Sequence, residues 1–310
     1  MSFTDSLLVL LGQDVSRDPQ GQHARLHFFG SIPVDDGTPF SGQSPRANEQ
    51  TQAVAGAAPR PSVVALVSVN GGVGRSTLAT ALSSGLQRHG EPVVALDLDP
   101  QNALRLHFGV SPTAPGIGVA SLQHAQWETL QQPGFAGSRV IPFGDSDTQQ
   151  QEKLQRWLKD EPDWLAQHLA PLDLSARHTV VIDTPAGNNV YLHQALNVAD
   201  VVLVIAQADA ASLGTLDQLQ ALLAPHLERE RPPQVHFVIN QLDEDNAFSL
   251  DMVEAFKQRL NKAPWEVHRD MAISEALAFG ADPLDSLAAG LASDDINDLC
   301  RWLIACRKLR

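Results

Sequence analysis

Residues Val63-Val-Ala-Leu-Val67-Ser-Val69-Asn-Gly-Gly-Val-Gly-Arg-Ser-Thr77 decide how this chain is read. The stretch 63–67 is continuously apolar and rich in valine, as a strand buried on both faces is. It leads into three glycines, Gly71, Gly72 and Gly74, and then into a segment of helical character that begins near Ser76. Strand, glycine turn and helix together make a phosphate-binding loop. The glycines let the backbone pass close to an anion, successive N–H groups point at it, and the positive end of the helix dipole adds to the field. What the loop lacks is its usual point charge. Such loops place a lysine before the Ser/Thr to reach the β and γ phosphates. This chain has Arg75 there, a planar fork on a longer stem that does not replace lysine isosterically.

Working outward, apolar runs at 92–97, 179–183, 201–207 and 235–240 read as further buried strands. Helical stretches alternate with them at 78–89, 212–229 and 249–261, and Gly90 is placed to end the first. This alternation predicts an α/β, P-loop NTPase-like fold: a mostly parallel sheet flanked by helices on both faces. The stretch 111–178 is harder to divide. Trp127, Trp157 and Trp164 lie there in glutamine-rich, helix-like sequence around a strand at Val140-Ile-Pro-Phe143. Ahead of the first strand, residues 31–61 are rich in Pro, Gly, Ser, Ala and Gln and read as a flexible linker. Residues 1–30 form a tail with apolar clusters around Leu8 and Leu26-His-Phe-Phe29, a candidate docking segment. The nucleotide-binding domain is then 62–310.

The 310 residues carry 22 basic and 36 acidic side chains, a net charge of −14. Such a surface repels phosphate backbones on average, so no DNA binding is expected. Lys257, Arg259 and Lys262 read as a solvated helix face. Cys300 and Cys306 are six apart, on different faces of a helix, and match neither a disulfide nor a zinc pattern. The 11 histidines show no metal-ligand spacing, and His124, His168 and His193 read as surface or packing residues. The apolar run Leu7-Leu-Val-Leu-Leu11 is too short for a signal-peptide core, and no later stretch reaches the length of a membrane span. The expected location is therefore the cytoplasm. The amphipathic segment from Ile296, with Arg301, Arg307, Lys308 and Arg310 late in it, reads as a core-packed final helix whose basic end complements its dipole, in preference to a membrane anchor.

Four more motifs follow in the order that such a domain needs. Asp97-Leu-Asp99-Pro100-Gln101 places two carboxylates at the end of the second strand, where α/β sheets bind ligands. Val180-Val-Ile-Asp183-Thr-Pro185-Ala-Gly187 ends a strand in an aspartate suited to Mg²⁺ through water, and Gly187 follows where a switch loop approaches the γ phosphate. Ser76 would give the metal a hydroxyl ligand. Phe237-Val-Ile-Asn240 sets an amide at a strand end, fit to pair with an adenine edge, and His268-Arg-Asp270 through Glu275-Ala-Leu277 forms a late loop and helix.

The loop from Asn70 to Thr77, the segment 97–101 and Asp183-Thr-Pro-Ala-Gly187 resemble the ParA/MinD group of deviant Walker ATPases, from about residue 62 to the C-terminus. Trp127, the run Ile141-Pro-Phe-Gly144 and His268-Arg-Asp-Met-Ala-Ile-Ser-Glu-Ala-Leu277 are similar to the BcsQ (YhjQ) branch, MinD-like accessory proteins of bacterial cellulose synthesis operons. The resemblance implies ATP and Mg²⁺ as ligands. Asn70, Gly71, Gly72, Val73, Gly74, Arg75, Ser76 and Thr77 would cradle the phosphates, and Asn240 would contact adenine. Asp99 would position the attacking water, and Asp97 and Asp183 would lie near the metal. It also implies an ATP-dependent homodimer working with other cellulose synthase operon proteins at the inner membrane, recruited there or to the cell pole by partners. The lysine that active members send across the dimer is Asn70 here, and that branch tends to lack such lysines. Losing one stabilising cation typically costs about 3–4 kcal/mol, or 10²–10³ in rate, so slow or no hydrolysis is expected. The competing expectation is an active positioning or partitioning ATPase for DNA, pili or flagella.

Overall fold

The valine-rich run becomes strand β1, Ser62–Val67, in a computed structural model that describes residues 60–285 and 290–308. The tail and nearly all of the linker read from the sequence lie outside the described residues. The other strands are β2 (Val93–Asp97), β3 (Gln132–Pro133), β4 (Arg139–Ile141), β5 (Thr179–Asp183), β6 (Val201–Gln207), β7 (Gln234–Leu242) and β8 (Trp265–His268). They form one sheet in the order β3-β4-β2-β5-β1-β6-β7-β8. Every neighbouring pair is parallel except β3 with β4.

Both faces of the sheet are covered, as continuous apolar strands require. Along β1, Val63, Ala65 and Val67 point into one core, and Val64 and Leu66 into the other. The second core is closed by the helix Arg75–Arg88, through Leu78, Leu82 and Leu86, and by the last helix, Leu291–Lys308, through Ile296, Leu299, Cys300 and Leu303. The final helix is thus seated on the core, as its sequence predicts. Cys300 is buried within it and both cysteines are free thiols. On the opposite face lie the helices Thr148–Asp160, Val190–Val198, Leu216–Leu227 and Ala247–Arg259. Among the described residues no helix is long and apolar enough to cross a membrane.

Two stretches differ from their sequence reading. The single helix expected over 212–229 is two, Ala210–Gly214 and Leu216–Leu227. At the joint the Thr215 hydroxyl donates to the Ser212 carbonyl at 2.9 Å, turning the chain. The ambiguous stretch 111–178 resolves around an aromatic knot: Trp127 meets Trp164 edge-on at 5.1 Å, and the His168 ring lies tilted against Trp127 at 4.6 Å.

Candidate nucleotide site

Parallel strands deliver their C-terminal ends to one edge of the sheet, and the motif residues gather there. Asp97 and Asp183 are register partners across β2 and β5, while Leu66, next to the glycine turn, pairs with Asp183 from the other side. The turn needs glycine at Gly74, whose φ is +83° and where a Cβ would sit 2.4 Å from the Asn240 side-chain nitrogen. At Gly71 and Gly72 a Cβ would meet nothing, so the backbone borders open space there. That is the form of an anion cradle.

Arg75 starts the helix after the turn and folds back into the protein, 8% exposed. Its Nε donates to Asp183 Oδ1 at 3.1 Å and a terminal nitrogen to Asp99 Oδ2 at 3.3 Å. The other terminal nitrogen donates to the Ser68 hydroxyl. Ser68 in turn donates to the Asn70 carbonyl at 2.8 Å, fixing the start of the turn. All three strand-end carboxylates are buried: Asp97 at 0%, Asp99 at 7% and Asp183 at 0% exposure.

Their environments differ. Asp97 accepts the Asp99 N–H at 2.9 Å and the Leu104 N–H at 3.0 Å, so both its oxygens are spent on local backbone. Burial, then the charge of Asp183, push its pKa well above the usual carboxylate value. Burial also lifts Asp183, to about 6, against the lowering pull of Arg75 and a weaker contact with the Ser76 hydroxyl. Asp183 Oδ2 makes no hydrogen bond of standard geometry. A buried oxygen of this kind, beside a hydroxyl, fits a Mg²⁺ ion or its bound water.

The segment after Asp183, expected to act as a switch, is tied to the same edge. The Thr184 hydroxyl donates to the Leu66 carbonyl at 2.8 Å, and the Gly187 N–H to the Ser68 carbonyl at 2.9 Å. Asn189 caps the following helix by accepting the Leu192 N–H at 2.9 Å. On the far side of the turn, Asn240 Nδ2 donates to the Val73 carbonyl at 2.8 Å. A cleft of about 140 Å³ opens beside it, lined by Gly74, Thr77, Asn240, Gln241, Asp270 and Ile273 among others. The late His268-Arg-Asp270 motif forms its wall, with Asp270 capping the next helix through the Ala272 N–H at 2.9 Å.

With this geometry in hand, the family model described as cellulose biosynthesis protein BcsQ matches residues 62–304. The chain belongs to the BcsQ family. A BcsQ of Escherichia coli (strain K12) is 30% identical over 246 residues, covering 78% of this chain and 94% of that protein. The fold is that of the MinD/ParA P-loop proteins. The Pyrococcus horikoshii septum site-determining protein MinD, complexed with Mg-ADP, superposes with a TM-score of 0.64 at 17% identity, covering 79% of this chain and 96% of that one. A Borrelia burgdorferi plasmid partition protein bound to AMPPNP gives 0.64 at 19%, covering 79% and 100%.

Within this BcsQ-family chain, three contacts were not legible as motifs. Ser68 gives no sequence signal, being a serine at a strand end. Asp295, which accepts from His268 at 2.7 Å and holds the cleft wall, stands 27 residues away from it. The bond from Asn240 to Val73 joins residues 167 apart. Lys257 and Arg259, expected on a solvated helix face, lie at the end of the helix Ala247–Arg259 and are ion-paired, with the Arg259 side chain only 14% exposed. Lys257 pairs with Glu266 at 2.8 Å and Arg259 with Asp217 at 3.0 Å. No cluster of metal-ligand type exists among the described residues.

Proposed function

We propose that this BcsQ-family chain is a MinD-like ATP-binding accessory protein that supports assembly or localisation of the cellulose synthase secretion complex, with slow or no ATP hydrolysis. Nucleotide binding is supported by the glycine cradle, by the cleft beside Asn240, and by the Mg-ADP and AMPPNP complexes of proteins sharing the fold. Gly71 to Thr77 would hold the phosphates, and Ser76 with Asp183 the Mg²⁺, which when bound neutralises phosphate charge. Asp97, with both oxygens on backbone N–H groups, shapes the turn that carries Asp99. Asp99 would orient water.

One observation carries the slow-hydrolysis reading. The only cation at the lysine position of the turn, Arg75, is bonded to Asp183, Asp99 and Ser68. A guanidinium shared with two carboxylates, on a longer and planar stem, is a poorer transition-state cation than the lysine it replaces. Nucleotide state would then act through a homodimer and the switch segment at Gly187, altering the surface offered to other cellulose synthase operon proteins at the inner membrane.

Calorimetry with ATP and Mg²⁺, alongside a turnover assay on the dimer, tests this. The expected result is micromolar or tighter binding with hydrolysis far below that of an active partitioning ATPase. Brisk turnover that collapses in Asp99→Ala would instead establish the positioning-ATPase alternative. No binding at all would reject both.

A further inference from the structure

Resting on the nucleotide-site reading above, we propose that Arg75 is the resident cation of the site before nucleotide binds and competes with the divalent ion for Asp183 and Asp99. Nucleotide phosphate must then draw the guanidinium away before the metal can take its place. The strand ends put three buried carboxylates side by side, and among the described residues no lysine pairs with them. Arg75 meets two of the three directly, at 3.1 and 3.3 Å, and its remaining arm is held by Ser68. Each of the three guanidinium nitrogens thereby donates one bond within the protein, three of its five N–H groups in all. Asp183, the metal-ligand candidate, has one oxygen occupied by Arg75 and the other without a hydrogen bond of standard geometry, beside only the weaker Ser76 contact.

The competition is electrostatic. A buried carboxylate left without its cation is costly, and a guanidinium or a divalent ion can each satisfy it. A lysine in this position would present its three N–H donors from one compact centre on a shorter stem, whereas the planar guanidinium meets Ser68, Asp99 and Asp183 from three separate nitrogens. The substitution of arginine for lysine therefore does more than weaken phosphate binding. It installs a charge that excludes free metal from the site before nucleotide binds. By linkage, phosphate that attracts Arg75 raises the affinity of the site for the divalent ion.

The test uses Mn²⁺ alone, without nucleotide, on the full chain, with binding followed by electron paramagnetic resonance. Wild type is expected to take up Mn²⁺ only at the background level of its acidic surface. Arg75→Gln should gain a site at least about tenfold tighter, the scale of ordinary coupling between sites. That gain should vanish when Asp183→Asn is added. Arg75→Lys, which keeps a charge, should fall between wild type and Arg75→Gln, and covers the case in which the neutral variant fails to fold. Equal Mn²⁺ affinity in wild type and both variants would overturn the proposal. Because nucleotide is absent from this experiment, its outcome is separate from that of the ATP calorimetry.

Discussion

At the scale of single residues, the three strand-end aspartates look alike in sequence and do different work. Asp97 accepts two backbone N–H groups and is fully buried, so Asp97→Ala leaves both donors unpaired. A loss of about 2–3 kcal/mol is expected in urea denaturation. Asp97→Asn keeps one acceptor and removes a charge beside Asp183, and its loss should stay within about 1 kcal/mol. Arg75 and Asn70 govern chemistry instead. Changing both to lysine should raise ATP turnover by about 10²-fold or more, measured by phosphate release, if missing cations limit the rate. The strand-end aspartates, the glycines and Arg75 were legible because each sits at a fixed offset from a strand end, and offset is a local property. The engagement of Arg75 by Ser68 and Asp99 was not legible, since it depends on which way a long side chain turns after folding.

At the scale of elements, the helix after the glycine turn is positioned by what it touches at its far end. A Cβ at Gly85 would lie 2.7 Å from Cys300 Sγ and 3.0 Å from a Leu284 methyl carbon. Gly85→Ala should therefore push the final helix away and lower stability by about 1–3 kcal/mol, read as a drop in Tm. The helix Leu216–Leu227 reaches the switch segment through two histidines. His193 Nδ1 lies 3.0 Å from His226 Nε2, and its Nε2 lies 2.8 Å from Asn188 Oδ1. Since an amide oxygen only accepts, His193 donates to Asn188; burial lowers both rings toward the neutral state, in which His193 accepts from His226. Burial first, then the charges of His193 and Arg229, push His226 down from 6.5 to about 4. The unfolded chain therefore binds more protons than the folded one between these values. Stability is fully present above about pH 6.5 and is lost as pH falls toward 4, by an amount on the order of 2 kcal/mol. Urea melts across that range should show this component, and His226→Gln should flatten it. Most elements were visible from periodicity: β5 and β6 match their expected bounds, and β1 and β2 differ only at their ends. The break at Thr215 was hidden because a hydroxyl bonding back to a carbonyl makes it, leaving the apolar period intact. The stretch around Trp127 was hidden because ring packing between distant segments sets its course.

At the scale of the molecule, charge and apolar surface are arranged against each other. A net charge of −14 makes two copies repel, so association needs a local apolar area and a reason to form only when the site is filled. The edge that carries the site offers that area. Leu106 follows the Asp97–Gln101 motif and is 63% exposed, while Met271 lines the cleft and is 60% exposed. Both side chains belong to helices that begin where β2 and β8 deliver the chain to the nucleotide edge. Large apolar groups ringing a ligand site suit an interface that closes over the ligand. Leu106→Glu adds a charge to this rim without touching the glycine turn, Arg75 or the three aspartates. ATP affinity by calorimetry should then stay within about twofold, while the proposed ATP-dependent dimer, followed by light scattering, should weaken by about tenfold or more. Unchanged dimerisation would place the contact elsewhere on the molecule. Loss of ATP binding along with the dimer would mean instead that the two are one event, with the second copy completing the pocket.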